Sequence, residues 1–313
     1  MSWLKTSLLL GLVVIASGCS VKTFAINMVG DALSEGNSVY ETDDDLELVG
    51  EALPFGLKLT ESLLAQSPNH RGLLLTACRG FVLYAYGYVH QEAELEMDID
   101  LDQARVVRTR ARKLYLRGMR FGTRALERAH RGFEQQLTTD PLAAAALVSA
   151  DEDVALLYWT AAALGLALSV STDDAALLAR LPEVDAMVDR ALALDESWED
   201  GALHEFKVVL AGAGPGARDY EGIRHHYERA LELSNGQHAG LYLAYAEAVS
   251  VPTQNATEFR TLIEKALSVD PDAHPPTRLV NLLAHRRAHW LATRVDDLII
   301  DDSPTQSSGG TQQ

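Results

Sequence analysis

Three stretches of this sequence share one pattern that decides the fold: VDRALALD at residues 188–195, YERALELS at 227–234 and IEKALSVD at 263–270. In each stretch, an apolar residue is followed three positions later by an Ala-Leu pair, and Asp or Ser stands three positions after the Leu. The Ala-Leu pairs are 39 and 36 residues apart. A repeat of this length is typical of stacked helix pairs, in which a small residue lets two helices approach closely.

Two weaker copies of the pattern precede these three. Residues 129–141 keep an Ala, an aromatic residue and a terminal Pro, and residues 63–68 keep two Leu residues and a Pro. The pattern resembles the second helix of tetratricopeptide repeats, although the spacing exceeds their usual length of about 34 residues and the first helix is incomplete. We therefore expect an all-α fold, built as an array of degenerate tetratricopeptide-like helix pairs in an α-solenoid or helical bundle. We expect this array to form one domain over residues 19–302.

Composition excludes several classes of protein. The chain has 313 residues, 47% of them hydrophobic, which is enough apolar material for a packed core. It carries 27 Lys and Arg against 44 Asp and Glu, a net charge of -17. Because nucleic acids and anionic membranes attract basic proteins, this balance disfavours both as partners.

The first residues read as a targeting signal. Residues 1–18 contain one Lys, a short apolar run and small residues before Cys19. The segment ASGC at residues 16–19 resembles a bacterial lipobox, whose cysteine is acylated, although Ala stands where Leu is commonest. The alternative is an ordinary cleaved signal with an incidental cysteine. With Cys19 acylated the protein would be tethered and not membrane-spanning. Ser20, in place of Asp, favours the outer membrane.

The sequence also allows predictions for Cys78 and for residues 303–313. With Cys19 acylated, Cys78 is the remaining cysteine, so no disulfide within the chain is expected. Because Cys78 lies in an apolar run, we predict a buried, inert thiol. Residues 303–313 are polar, and we expect a disordered tail.

Motifs for catalysis or cofactors are weak. The glycine-rich stretch at 211–216 lacks the Lys and Ser/Thr of a phosphate loop and reads as a connection between helices. His204 and Glu205 lack the second His of a zinc protease. His285 and His289 are one helical turn apart, but Arg286 and Arg287 lie between them and oppose a cation. The sequence favours a non-enzymatic protein without cofactor or metal.

Two apolar features could form a binding site. Residues 154–170 carry no charge, which predicts a helix that is surrounded by protein or that lines an apolar cavity. Phe81, Tyr84 and Tyr88 would share one face of a helix, suited either to packing or to the wall of an amphipathic pocket.

Basic residues are concentrated in one segment. Residues 105–131 hold ten Lys and Arg against a single acid, Glu127, a local balance of +9. On a helix, six of them follow one another at spacings of three or four and form one line. We call this line the cationic stripe: Lys113, Arg117, Arg120, Arg124, Arg128 and Arg131. It is either a solvated or internally paired face, or a docking surface for an acidic partner or a neighbouring subunit.

Five motifs along the chain resemble those of the TatT component of TRAP (tripartite ATP-independent periplasmic) transporters. They are DDDLELVGEALPFGLKLTESLL at 43–64, LYLRG at 114–118, LYWTAA at 157–162, GALHEF at 201–206 and RLVNLLAHRRAHWL at 278–291. Together they cover almost the whole chain after Cys19.

The resemblance implies a lipoprotein that faces the periplasm and forms a homotrimer, with an apolar channel through each protomer. It also implies association with the periplasmic substrate-binding component and the capture or transfer of a small apolar or organic-acid ligand. The motif containing Tyr158 and Trp159 coincides with the uncharged stretch, which favours a cavity wall there. The main alternative is a tetratricopeptide scaffold lipoprotein of envelope assembly that binds protein segments, and an envelope hydrolase is a more distant one.

Overall fold

The computed structural model describes residues 27–34, 39–96, 99–213 and 218–300. Within these ranges the chain is helical and contains no strand, which confirms the predicted all-α class. The signal segment, Cys19 and the polar tail at 303–313 lie outside the described residues, as do residues 214–217 of the glycine-rich stretch.

The chain divides into two compact units. The first comprises Met1–Leu203 and Pro275–Leu279, and the second comprises His204–His274 and Val280–Gln313. The single repeat domain expected over residues 19–302 stays a prediction.

The helices up to residue 194 belong to the first unit. They are α1 (27–34), α2 (Leu46–Gln66), α3 (Arg71–Tyr84), α4 (Gln91–Glu96), α5 (Leu101–Ala129), α6 (Phe133–Thr139), α7 (Pro141–Ala146), α8 (Val154–Ser169), α9 (Ala175–Leu178) and α10 (Leu181–Leu194). A π-helical segment, Ala85–His90, joins α3 to α4.

The remaining helices of the described residues begin at Ala202. They are α11 (Ala202–Ala213), α12 (Tyr220–Leu233), α13 (Ala239–Tyr245), α14 (Ala256–Ser268), α15 (Arg278–Ala292) and α16 (Val295–Leu298). A second π-helical segment, Ala246–Ser250, follows α13 directly.

Helix α8 is the buried centre of the first unit. It packs against α5, α10 and α3, and none of its residues is exposed. Its bounds, Val154–Ser169, match the uncharged stretch of the sequence to within one residue. The apolar surface all round this helix is therefore covered by neighbouring helices.

The contact of α5 with α3 and α8 depends on small residues. A methyl group added to Gly122 of α5 would collide with the Thr160 side chain and lie 2.9 Å from the Cys78 sulfur. Cys78 is fully buried, as predicted, and burial raises the pKa of its thiol to about 12. The thiol therefore stays protonated and is a poor nucleophile.

The three Ala-Leu stretches of the sequence lie at the ends of three helices. Ala191, Ala230 and Ala266 are completely buried in the last turns of α10, α12 and α14. The weaker copy at 129–141 is different, because Ala129 ends α5 and Phe133 begins α6 after a left-handed Gly132 with φ of 91°.

One helical run among the described residues, Arg71–Leu95, is long and apolar enough to cross a membrane by length and composition. Half of its most apolar window is buried inside the protein. Core helices of packed proteins have the same properties, so the run is weak support for a membrane span.

Candidate functional site

Tyr158 and Trp159 of α8 lie in a cluster of aromatic rings. Their ring centroids are 5.0 Å apart in an edge-to-face arrangement, and the Trp198 ring lies 4.7 Å from that of Tyr158. We call Tyr158, Trp159 and Trp198 the aromatic group. Trp159 is almost completely buried and Tyr158 is half-buried. Edge-to-face rings form a rigid apolar surface with a polar tip at the Tyr hydroxyl.

A guanidinium group is placed over this aromatic group. The Arg79 guanidinium carbon lies 5.4 Å from the Trp159 ring centroid, within the range of a cation–π interaction. Arg79 also forms an ion pair with Glu41, a carboxylate that is only 5% exposed. The aromatic group is therefore held against a guanidinium whose charge is balanced by a buried carboxylate.

The second predicted aromatic face is divided by the π-helical segment. Phe81 is buried in the seam between α3 and α5, where its ring stacks on Phe121 with centroids 5.9 Å apart. Tyr84 stacks instead on Tyr88, with centroids 6.0 Å apart, and its hydroxyl accepts a hydrogen bond from Arg110. The π-helical segment begins directly after Tyr84, so Phe81 and Tyr84 lie in the regular α-helix and Tyr88 lies in the π-helical segment.

The cationic stripe lies on α5, and its members differ in what they contact. Arg117 is internally paired, because its Nε donates to Glu61 at 2.5 Å and its guanidinium lies over the Phe81 ring. By contrast, four side chains of the stripe form no hydrogen bond or ion pair with any described residue: those of Lys113, Arg120, Arg124 and Arg128.

Other basic residues of α5 have acidic or phenolic partners. Arg105 pairs with Asp102, and Arg112 pairs with Asp174 at 2.6 Å. Internal pairing therefore accounts for part of the basic segment but leaves four cations of the stripe available to solvent or to a partner.

The second unit contains features that sequence reasoning did not single out. A pocket of about 250 Å³ lies between α12, α14 and Tyr245 at the end of α13. Nearby, the Nδ1 atoms of His204 and His226 are 2.7 Å apart, so one imidazole donates to the other. Among the described residues, no three His, Cys, Asp or Glu side chains are arranged to hold a metal ion.

Arginine side chains without an internal partner and clustered aromatic rings are common where proteins bind other proteins or small molecules. The comparison with known families is more specific: the model of the TRAP transporter T-component family matches residues 42–299. The chain belongs to this family, which is an accessory component of TRAP transporters. Membership indicates a periplasmic or membrane-associated location.

A relative supports the family assignment over almost the whole chain. An uncharacterized protein of Treponema pallidum (strain Nichols) is 29% identical to this chain over 309 residues. The match covers 92% of this chain and 95% of that protein.

The sequence did not predict Trp198 as a member of the aromatic group or Arg79 as its neighbour. Trp198 lies in a short 3-10 turn, Trp198–Gly201, and Arg79 lies in α3. Neither residue has a local pattern that connects it to Tyr158, so only the tertiary fold reveals the cluster. The presence of a Trp three residues before the family motif at 201–206 was the one available signal.

Proposed function

We propose that this protein docks on the periplasmic substrate-binding component of a TRAP transporter through the cationic stripe. The observation that carries the proposal is the set of four unpaired cations on α5, in a protein that has 44 acidic residues available for internal pairing. Cations held in line on a rigid helix attract an acidic surface and orient it during encounter. We further propose that the protein is a homotrimer, anchored through acylated Cys19 in the outer membrane.

Charge reversal on the stripe tests the docking proposal. In an Arg120→Glu, Arg124→Glu variant, the affinity for the substrate-binding component should fall about tenfold or more at low salt, because attraction becomes repulsion. The difference should shrink at about 1 M salt, where charges are screened beyond about 3 Å. Binding can be measured by surface plasmon resonance over a series of salt concentrations.

The matched control carries the same change of net charge in the second unit. Arg229 and Arg260 lie on α12 and α14, and their replacement by Glu should leave the affinity almost unchanged. Equal losses in both variants would assign the effect to net charge alone. An unaffected Arg120→Glu, Arg124→Glu variant would contradict docking through the stripe.

The same protein, in this proposal, shelters a small apolar or organic-acid ligand against Tyr158 and Trp159. The proposal is supported by the ring faces of the aromatic group and by the Arg79 guanidinium beside them. Phe81, Tyr84 and Tyr88 would contribute a second wall, although their contacts so far support packing as well.

Replacement of Trp159 by Leu tests the ligand site without adding a buried charge. It should strongly reduce binding of an apolar anionic fluorescent probe, anilinonaphthalene sulfonate, while far-ultraviolet circular dichroism stays unchanged. The control is Trp290→Leu, since Trp290 also lies beside guanidinium groups, at 5.6 Å from Arg287 and 5.7 Å from Arg294. Unchanged probe binding in Trp159→Leu, or equal loss in both variants, would return α8 to a purely structural role.

A further inference from the structure

The pocket of the second unit has a buried aromatic floor. The rings of Tyr227 and Tyr245 stack with centroids 4.1 Å apart, and the two residues are 8% and 5% exposed. The Tyr242 ring meets Tyr227 edge-on, with centroids 6.4 Å apart. Tyr242 does not itself line the pocket, and burial raises the pKa of the Tyr227 and Tyr245 hydroxyl groups, so the floor stays neutral over the physiological range of pH. We call this site the tyrosine pocket.

A carboxylate is fixed at the edge of the tyrosine pocket. Glu258 of α14 lines it and accepts a hydrogen bond of 2.7 Å from the hydroxyl of Ser250, which is fully buried. Ser250 belongs to the π-helical segment Ala246–Ser250 that follows Tyr245. Such segments are rare and often occur at functional sites, where they redirect side chains. Here the segment connects the aromatic floor to the bound carboxylate.

The charges that line the pocket are balanced in number. Two cations, Arg224 and Lys265, and two carboxylates, Glu228 and Glu258, face the same space. Arg224 is already engaged, because it forms a hydrogen bond with the Tyr245 hydroxyl. The Lys265 ammonium forms no hydrogen bond or ion pair with any described residue. Along α14 it lies seven residues beyond Glu258, a rise of about 10 Å.

This arrangement disfavours ligands with a single charge. A simple carboxylate would meet two acidic side chains, and a simple amine would meet Arg224 and Lys265. A molecule with an ammonium at one end and a carboxylate at the other satisfies both sets. Its apolar middle would cover the tyrosine rings, whose faces also attract an ammonium group.

We propose that the tyrosine pocket binds a small zwitterion in which an apolar spacer separates the ammonium from the carboxylate. The ammonium lies against Glu258 and the tyrosine faces, and the carboxylate lies against Lys265. The tyrosine pocket lies within the second unit, so this proposal is independent of the docking surface and the ligand site proposed for the first unit.

Three probes with six carbon atoms each test the proposal by isothermal titration calorimetry on the full chain. They are 6-aminohexanoate, which carries both charges, hexanoate, which lacks the amine, and hexylamine, which lacks the carboxylate. The zwitterion should bind about tenfold more tightly than either singly charged probe, since it alone makes both charge-assisted contacts. Equal affinities for the three probes, or no binding of 6-aminohexanoate, would overturn the proposal.

Two substitutions then assign the ends of the ligand. Glu258→Gln should abolish the preference for 6-aminohexanoate over hexanoate, and Lys265→Met should abolish its preference over hexylamine. The control is Glu264→Gln, which removes an exposed acid of α14 that does not line the pocket. Circular dichroism verifies that each variant is folded. Preferences that survive both substitutions, or that are lost equally in the control, would contradict the assignment.

Discussion

At the scale of the residue, Gly122 sets how closely α5 approaches α8 and α3. The space that a side chain would need is occupied by Thr160 and Cys78, both of which are buried. Helices separated by a glycine can pack at short distance, but such contacts leave no room for adjustment. Gly122 therefore matters more to this fold than its lack of a side chain suggests.

Replacement of Gly122 by Ala should lower the free energy of unfolding by about 1–3 kcal/mol, the usual cost of overpacking a well-packed core. The collision outweighs the gain of about 0.5–1 kcal/mol that Ala normally brings to a helix. Urea denaturation followed by circular dichroism measures the difference. In Gly56→Ala, where the nearest atom is the Tyr40 hydroxyl at 2.9 Å, the tip of a side chain that can shift, stability should not fall. Equal effects in both variants would contradict the packing argument.

At the scale of the element, one buried acid joins the ends of two helices. Asp153 is 2% exposed. Its carboxylate oxygens lie 2.8 Å from a guanidinium nitrogen of Arg71, at the start of α3, and 2.8 Å from Nε2 of His130, which follows α5. It directly precedes α8, so the position of the central helix is tied to both neighbours. The neighbouring Glu152 is exposed and lies 3.9 Å from Arg71.

Asp153→Asn should therefore reduce the free energy of unfolding by about 1–3 kcal/mol, because Arg71 and the largely buried His130 lose their charged partner. Thermal unfolding measured by circular dichroism reports the change. Glu152→Gln removes a charge from the same arginine but at the surface, where an ion pair contributes about 0–1 kcal/mol. A Glu152→Gln variant as unstable as Asp153→Asn would show that the buried contact is unimportant.

Much of the helical architecture could be predicted from the sequence. The uncharged stretch predicted α8 closely, because a helix with apolar residues on all sides has to be covered by protein or by a cavity. The Ala-Leu pattern also predicted the buried alanines of α10, α12 and α14, because a small residue at this position lets two helices approach closely. The copy at 129–141 differs, since the left-handed Gly132 divides it between α5 and α6.

The two π-helical segments could not be predicted in this way. A π-helical turn inserts a residue into a helix without a distinct local composition, as at Ala85–His90 and Ala246–Ser250. The first contains Tyr88, and the second contains Ser250, which holds Glu258 at the edge of the tyrosine pocket. Both depend on tertiary packing, which overrides the regular 3.6-residue period.

At the scale of the whole molecule, charge is segregated. The chain carries -17 in total, yet residues 105–131 carry +9. The sequence alone left open whether these cations were paired internally. The structure divides them, because Arg117 has an acidic partner in α2 whereas Lys113, Arg120, Arg124 and Arg128 have none among the described residues.

The composition of the candidate site was only partly accessible from sequence. Tyr158 and Trp159 are adjacent in a family motif, so their proximity needed no tertiary information. Trp198 and Arg79 reach them from distant parts of the chain. The charges of the tyrosine pocket come from two helices and the Tyr245 ring from a third, so no single motif could reveal it.

Docking is tested by native mass spectrometry of the purified protein mixed with a TRAP substrate-binding component from the same organism. We expect a complex that contains both proteins, with three copies of this chain. Raised ionic strength should dissociate the partner from it. Spectra that contain only the unbound monomer of this chain at low ionic strength would contradict the account.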